Sequence, residues 1–536
     1  MSYFDILRAP DLVNVQREDG WSALTQAPNE SWQASGLEVR IVPQGNERHI
    51  YLQAPDKAIK RIGLRWQMAI PSGFTYLGDH WERGYGDMSW RSMADERIMP
   101  WYFLASRDDH TYGYGVKTGA NAFCFWQIDA QGISLWIDVR NGGNGVRLGG
   151  RELLAAQIVT HAGEQGERAF QVAQAFCRLL CPNPIVPKQP VYGGNNWYYA
   201  YGNSSHQEIL DDSKLIAALA PESENRPFMV IDDGWQISNF GQFNGGPWRF
   251  GNAHFPDMGR LAQEMKDLGT RPGIWMRPLL TSEKLPESWY LPEAGRYAYT
   301  TPGVMLDPSQ PAVLEQVRQD IQGLVDWGYE LIKHDFSTYD IFGRWGFEMK
   351  TRLTVPGWSF ADTSKTTAEI ILEFYRTIAR AAGDALVIGC NTVGHLAAGI
   401  FAIQRTGDDT SGRDWERTRK MGINTLAFRM PQQGTFFAVD ADCVGLTQQV
   451  PWSLNEQWLD LLARSGTPLF VSAAPDAIGP MQEKALRNAF LIASQQRPPI
   501  EPLDWQENTT PAYWSIDGEH VQYKWYAPEG VQYPFE

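Results

Sequence analysis

The side chains best able to do chemistry in this chain are aspartates, and they fall in short runs. Asp232 and Asp233 form one, Asp408 and Asp409 a second, Asp440 and Asp442 a third, while Asp335 stands two positions after Lys333. Arg405 precedes the second run, and Trp197, Trp235 and Trp275 interleave with the set. Carboxylates a few ångströms apart resist joint ionisation, so gathering them is costly unless they serve a metal or a carboxylate-based reaction. A metal calls for His, Cys or extra carboxylates at ligand spacing. The nearest histidine, His334, alternates with Asp335 along a strand and so faces the other way. The second option is a carboxylate pair on either side of a glycosidic bond, one attacking the anomeric carbon and the other protonating the leaving oxygen. Lys333 and Asp335 share a strand face, and an ammonium beside Asp335 would keep it ionised, as a nucleophile requires. The proton donor needs a raised pKa, and Asp409, crowded by Asp408, is the candidate. Taken singly, each of these aspartates also fits a loop turn or a helix N-cap.

Elements capable of positioning these residues are legible from residue 191 onward, where apolar strand, loop and amphipathic helix alternate. Strands are predicted at 191–197, 228–235, 271–279, 329–336, 385–391, 402–409, 436–442 and 467–473, with helices at 311–328, 367–383, 454–466 and 481–494. Ser205 with Glu208 marks a further helix start by the capping-box pattern. Eight such units make a (β/α)₈ (TIM) barrel, an α/β fold whose active sites form at the C-terminal strand ends, where the aspartates fall. An open doubly wound sheet would show a GxGxxG phosphate loop after its first strand, and none is present. The expected organisation is an N-terminal antiparallel β-sandwich over 1–181 that ends in a helix near 167–181, and a proline-rich linker at 182–190. The barrel follows over 191–498, and a short β-rich tail closes the chain at 499–536.

Composition narrows the partners. The 536 residues carry a formal net charge of −15, which repels phosphate backbones and anionic lipid. No run of 18 apolar residues occurs. Met1–Asn14 holds Asp5, Arg8, Pro10 and Asp11 in place of an apolar signal core, so a cytoplasmic location is expected, with no nucleic-acid or membrane partner. Five cysteines without a CxxC argue against disulfides and zinc, and no cofactor or metal is expected. Twenty-two tryptophans and 21 tyrosines supply flat faces that stack on sugar rings, which points to an oligosaccharide or glycoside substrate, although many will simply be core. A homo-oligomer is compatible with this sequence.

The ordered motifs DDGW (232–235), Lys333-x-Asp335, the cysteine motif at Cys390, RTGDDT (405–410) and DAD (440–442) resemble glycoside hydrolase clan D, the retaining α-galactosidases of families 27 and 36. The proline-linked sandwich favours family 36. By this resemblance Asp335 matches the nucleophile and Asp409 the acid/base. Lys333 matches the lysine at the sugar's 3- and 4-hydroxyls, Arg405 the arginine near O2, and Asp232 with Asp233 the pair at O4 and O6. Trp197 and Trp235 match aromatics around the ring, Trp275 and Asp408 lie at the same rim, and Cys390 with Asn391 matches the position after the fifth strand. Asp442 falls behind the sugar-contacting residues. Two departures lie at the rim: WMRP (275–278) puts Arg277 where family 36 has glutamate, and GCNTVGH (389–395) replaces a glycine-rich stretch. Arg277 could accept an anionic substituent or pair with one of the crowded aspartates. The resemblance implies a retaining exo-α-galactosidase. It leaves open a raffinose-synthase-like transglycosidase, a glycosidase for α-N-acetylgalactosamine or β-L-arabinopyranose, and a non-catalytic carbohydrate-binding protein.

Overall fold

Apolar runs of three to six residues, too short for helices and bounded by loops, form a parallel sheet in a computed structural model that describes residues 3–28, 30–240, 243–293, 295 and 304–531. Met1, Ser2 and residues 532–536, at the outer ends of the expected terminal domains, lie outside the described residues. The strands are β1 (Tyr192–Asn195), β2 (Phe228–Ile231), β3 (Arg271–Met276), β4 (Leu331–His334), β5 (Leu386–Gly389), β6 (Ile403–Arg405), β7 (Ala438–Asp440), β8 (Cys443–Leu446) and β9 (Leu469–Ala473). They lie side by side in the order β7-β6-β5-β4-β3-β2-β1-β9-β8, all parallel. The edge strands β7 and β8 are consecutive in the chain, parted only by Ala441 and Asp442. Eight of these strands fall inside the eight predicted segments. The ninth, β8, continues past the DAD motif because its four residues, CVGL, are all buried. Burial on both faces explains why these strands read as apolar runs rather than as alternation.

The covering helices are α1 (His206–Leu219), α2 (Met258–Asp267), α3 (Pro311–Asp326), α4 (Thr367–Ala382), α5 (Trp452–Arg464) and α6 (Pro480–Ala493). Their starts follow local chemistry. The Ser205 hydroxyl accepts the Glu208 N–H at 3.4 Å, and Thr366 and Glu369 cap α4 reciprocally. Proline opens α3 and α6, where a missing N–H costs nothing.

Upstream, the alternating segments form two antiparallel sheets of six and nine strands, followed by the helix Ala169–Leu180. The linker 182–190 has no regular element, and the C-terminal stretch forms a three-stranded sheet. One loop of the N-terminal sheets matters for the site. Between the strands Thr75–Gly78 and Arg91–Ser92 it extends across to the end of β6. There the Gly84 N–H donates to the Thr406 carbonyl at 2.7 Å, and the Asp408 N–H donates back to the Gly84 carbonyl at 2.9 Å. On the loop side a Cβ on Gly84 would lie 2.9 Å from Thr425 Cγ2 and 3.5 Å from the Thr406 carbonyl oxygen, and on the other side a Cβ on Gly407 would lie 2.1 Å from the Met421 carbonyl oxygen of the helical segment that follows the turn. At the loop's base Arg429 donates to Asp79 at 2.7 and 3.0 Å. No helix among the described residues is long and apolar enough to cross a membrane, and all five cysteines are buried and free.

Candidate active site

Asp335 is the first residue beyond β4. Its Oδ1 accepts the Phe336 N–H at 2.7 Å and the Asn391 N–H at 3.1 Å, and its Oδ2 accepts the Trp275 indole N–H at 3.0 Å. Phe336 reaches the first bond through a left-handed backbone at φ +62°, a conformation costing a non-glycine residue about 1–3 kcal/mol. The carboxylate is thus fixed by three N–H dipoles from β3, β4 and β5. Lys333, expected to pair with Asp335, instead donates to Asp232 Oδ2 at 2.6 Å. It sits at the same level of the sheet as Trp275 of β3, so the nearest carboxylate to its long chain is the one at the end of β2. Burial works against the ammonium, but Asp232 overrides it and holds Lys333 well above its ordinary pKa. Asn195 adds a 2.7 Å bond to the same Asp232 oxygen, and the Asn196 side chain accepts the Asp232 N–H.

A second cluster surrounds Arg405, which is buried at the end of β6. Its guanidinium faces Asp442 at 2.8 Å, Asp409 at 3.3 Å and Asp440 at 3.4 Å. The cation makes this gathering of carboxylates tolerable. Burial raises the Asp442 pKa against the pull of Arg405, and the Tyr198 hydroxyl donates to it. Asp409 differs from its neighbours in being open, with its side chain 40 % exposed. Burial of its surroundings opposes ionisation, but Arg405, Arg83 and Lys333 outweigh it and leave Asp409 below the ordinary carboxylate range. The expected upward push from Asp408 is therefore not what governs this residue. Asp408 is itself neutralised by Arg83 at 2.8 Å and Arg417 at 2.9 Å.

A third chain of contacts forms the wall. Burial pushes the Asp233 carboxyl up to about 6, and Gln236 and Asn244 donate to it at 2.7 and 2.9 Å. Asn244 in turn accepts from Arg277 at 2.5 Å. Arg277 is committed to Asp340, with its closest bond at 2.6 Å, and its guanidinium lies 4.2 Å from the Phe336 ring centre. Its partner is thus a carboxylate from the short helix Ser337–Phe342, which the sequence did not single out. Each of its three guanidinium nitrogens makes one of these bonds and its side chain is 3 % exposed, which fits the pairing with a crowded aspartate.

Three further expectations are relocated. Trp235 is 0 % exposed, packed against Trp248 and Trp327 with its N–H on the Trp275 carbonyl, so it lies beneath the site rather than against a sugar. Asn391 serves Asp335 through its backbone, while its side-chain amide donates to Glu82. Cys390 is buried, and burial pushes its thiol well above the ordinary range despite the nearby Arg405, so it is held as a neutral thiol. Trp197 remains half-buried at the rim beside Tyr201. His334 points away from Asp335 among the rings of Phe374, Tyr375 and Phe401, its pKa pushed down to about 3 by burial. No group of three His, Cys, Asp or Glu among the described residues is placed to hold a metal ion.

Sequence reasoning missed Glu82 and Arg83 entirely. Glu82 is buried, accepting from the Tyr85 hydroxyl, the Gly346 N–H at 2.7 Å and Asn391. Arg83 reaches Asp408 and, at 3.9 Å, Asp409, and its guanidinium lies 5.3 Å from the Trp345 ring centre. The segment HWERGYGD has neither strand nor helix periodicity, and no local signal links it to residues beyond 400.

No family model matches the chain. It is 22 % identical over 391 residues to a probable alpha-galactosidase B of Penicillium simplicissimum, covering 67 % of this chain and 82 % of that protein. A probable alpha-galactosidase B of Aspergillus oryzae is 23 % identical over 375 residues, covering 65 % and 78 %. Among solved structures, the alpha-galactosidase TtGalA of Thermus thermophilus, in complex with p-nitrophenyl alpha-D-galactopyranoside, superposes with TM-score 0.59 at 17 % identity over 91 % of this chain and 97 % of that one. A variant of the GH36 alpha-galactosidase AgaA of Geobacillus stearothermophilus, in complex with raffinose, gives TM-score 0.61 at 14 % identity over 92 % and 77 %. The structural neighbours are GH36 alpha-galactosidases, and this chain shares their fold.

Proposed function

We propose that this chain is a glycoside hydrolase, a retaining exo-glycosidase for terminal α-galactosides, built on a closed eight-unit barrel with Asp335 as nucleophile and Asp409 as acid/base. The observation that carries the proposal is the contrast between the two carboxylates: one is immobilised by three N–H donors, the other is open beside cations. In the first step an Asp335 oxygen bonds to the anomeric carbon as the bond to the leaving oxygen breaks, and Asp409 delivers its proton to that oxygen. In the second, Asp409 takes a proton from water as the water oxygen attacks the same carbon and Asp335 leaves as carboxylate. Two inversions give net retention. Sugar filling the site displaces water around Asp409 and favours its protonated form, and esterification of Asp335 then removes a negative charge and favours the base form. The Asp232–Lys333 pair and Asp233 offer acceptors and a donor to ring hydroxyls, and Arg405 offers a donor beside Asp409. The shared fold and the names of the similar proteins support galactose as the sugar. Because nearby cations hold Asp409 low, kcat/KM should fall as pH rises through its pKa, giving a profile weighted to acid. A panel of aryl α- and β-glycosides, followed by NMR of the first-formed anomer, tests the proposal. Turnover of the α-galactoside with α-galactose formed first is expected. No turnover on any α-galactoside, or β-galactose first, overturns it.

A further inference from the structure

The loop from the N-terminal sheets supplies Arg83 to the acid/base turn, where it shares Asp408 with Arg417 of the barrel. We propose that Arg83 is a positioning residue for Asp409, acting by clamping the Asp408–Asp409 turn and by placing a second cation beside the acid/base. The inference rests on the assignment of Asp409 above.

Three observations support it. The backbone of the loop is joined to the turn on both sides of Gly407, through the Gly84 N–H on Thr406 and the Asp408 N–H on Gly84. Arg83 bonds Asp408 at 2.8 Å, so the side chain grips the residue next to Asp409 rather than Asp409 itself, which leaves the latter open to a leaving group. The guanidinium is buried and held over Trp345 at 5.3 Å, between Asp408 and Asp409. Its buried Nε has no hydrogen-bond partner, so its contacts are those with the two carboxylates and the ring.

The electrostatic surroundings of Asp409 are crowded on every side. Arg405 from β6 stands at 3.3 Å and Arg83 at 3.9 Å, with Lys333 of β4 and Arg417 acting from further off. Asp408 adjoins it, Asp442 approaches from the segment between β7 and β8, and Tyr198 feels its charge from the segment after β1. Arg405 and Lys333 are parts of the barrel and cannot be altered without disturbing sugar contacts. Arg83 is the one close cation borne by another domain. An opposite charge at this distance stabilises the carboxylate, so removing it makes Asp409 harder to ionise.

The test compares Arg83→Gln, which can still hydrogen-bond Asp408 but has no charge, with Arg83→Lys, which keeps the charge. The basic limb of kcat/KM against pH should move to higher pH by about one unit in the glutamine variant, because Asp409 stays protonated longer. In the lysine variant the limb should stay within a few tenths of a unit of wild type. Both variants are first checked for a cooperative thermal transition. Should Arg83→Gln not fold, Arg83→Lys together with Trp345→Leu, which frees the side chain from its ring, should lower kcat while leaving the limb in place. A folded Arg83→Gln with an unmoved limb, or an equal shift in both variants, overturns the proposal. A carboxyl ¹³C NMR titration of Asp409, assigned by difference from Asp409→Asn, reads the same shift without turnover. It therefore separates failure of the Arg83 role from failure of the assigned reaction.

Discussion

At the scale of single residues, the two carboxylates should respond differently to removal. Asp335→Asn keeps shape and most hydrogen-bond capacity but loses the attacking oxygen, so kcat should fall on the order of 10³-fold or more with the fold intact. In Asp335→Ala, added azide should restore turnover and yield a β-configured glycosyl azide, measured by NMR. Near-normal activity in Asp335→Asn would remove the nucleophile assignment. Loss of Asp409 should spare nitrophenyl substrates, whose leaving groups need little protonation, and slow alkyl galactosides far more. Equal slowing of both would move the acid role elsewhere. Arg277 is a different kind of residue. Replacing it with methionine removes the guanidinium that faces the fully buried Asp340, at a cost of about 3–5 kcal/mol, and the loss should appear as a lowered melting temperature whatever the substrate.

At the scale of elements, the strand ends decide which residues meet. Asp232, Asp335, Arg405 and Asp442 come from four separate strands and could be assembled on paper because a parallel sheet with covering helices presents its C-terminal ends on one side. Their pairings were less legible. Lys333 was assigned to Asp335 by proximity along one strand, whereas its partner lies across two strand spacings at Asp232, which only register reveals. Arg277 found its carboxylate in a one-turn helix with no amphipathic signature, and the Asp79–Trp90 loop carried no periodic pattern at all. That loop meets the parallel sheet where β6 ends, and the turn it grips is itself packed against the segment Arg419–Asn424, so the turn can be probed by a single methyl group. Gly407→Ala sets a Cβ against the Met421 carbonyl and should cost about 1–3 kcal/mol as the turn is pushed away. Turnover should fall with it, while Gly323→Ala, in open space on α3 and with no positive φ, should leave turnover unchanged. If Gly407→Ala retains full activity, the turn does not depend on this approach.

At the scale of the whole molecule, two carboxylates are buried with no ion pair among the described residues. Burial pushes Asp320 up to about 7 against the pull of Arg249, with the Gln316 amide donating to it, and lifts Asp212 to about 7 as well. A carboxyl whose folded pKa exceeds its unfolded value binds more protons when folded, so its effect on stability is favourable at low pH and is lost as pH rises from about 4 to about 7. Asp320→Asn should therefore change little at pH 4 and stabilise the fold by a few kcal/mol at pH 8, read from denaturant midpoints at the two pH values. No difference between them would mean that Asp320 is ionised without penalty.

The span of the loop contact also sets an order in time. Asp79 and Arg429 are 350 residues apart, whereas each strand and the helix that covers it are neighbours in sequence. Local units form early and distant ones late, because a long loop must close before its contact can be rewarded. On the ribosome the N-terminal domain emerges first, and its loop waits for a partner that has not yet been synthesised. Both halves can thus acquire their tryptophan packing before the Asp408–Asp409 turn is clamped. In refolding from denaturant, recovery of catalytic activity should lag behind recovery of tryptophan fluorescence, and the lag should lengthen in Gly407→Ala.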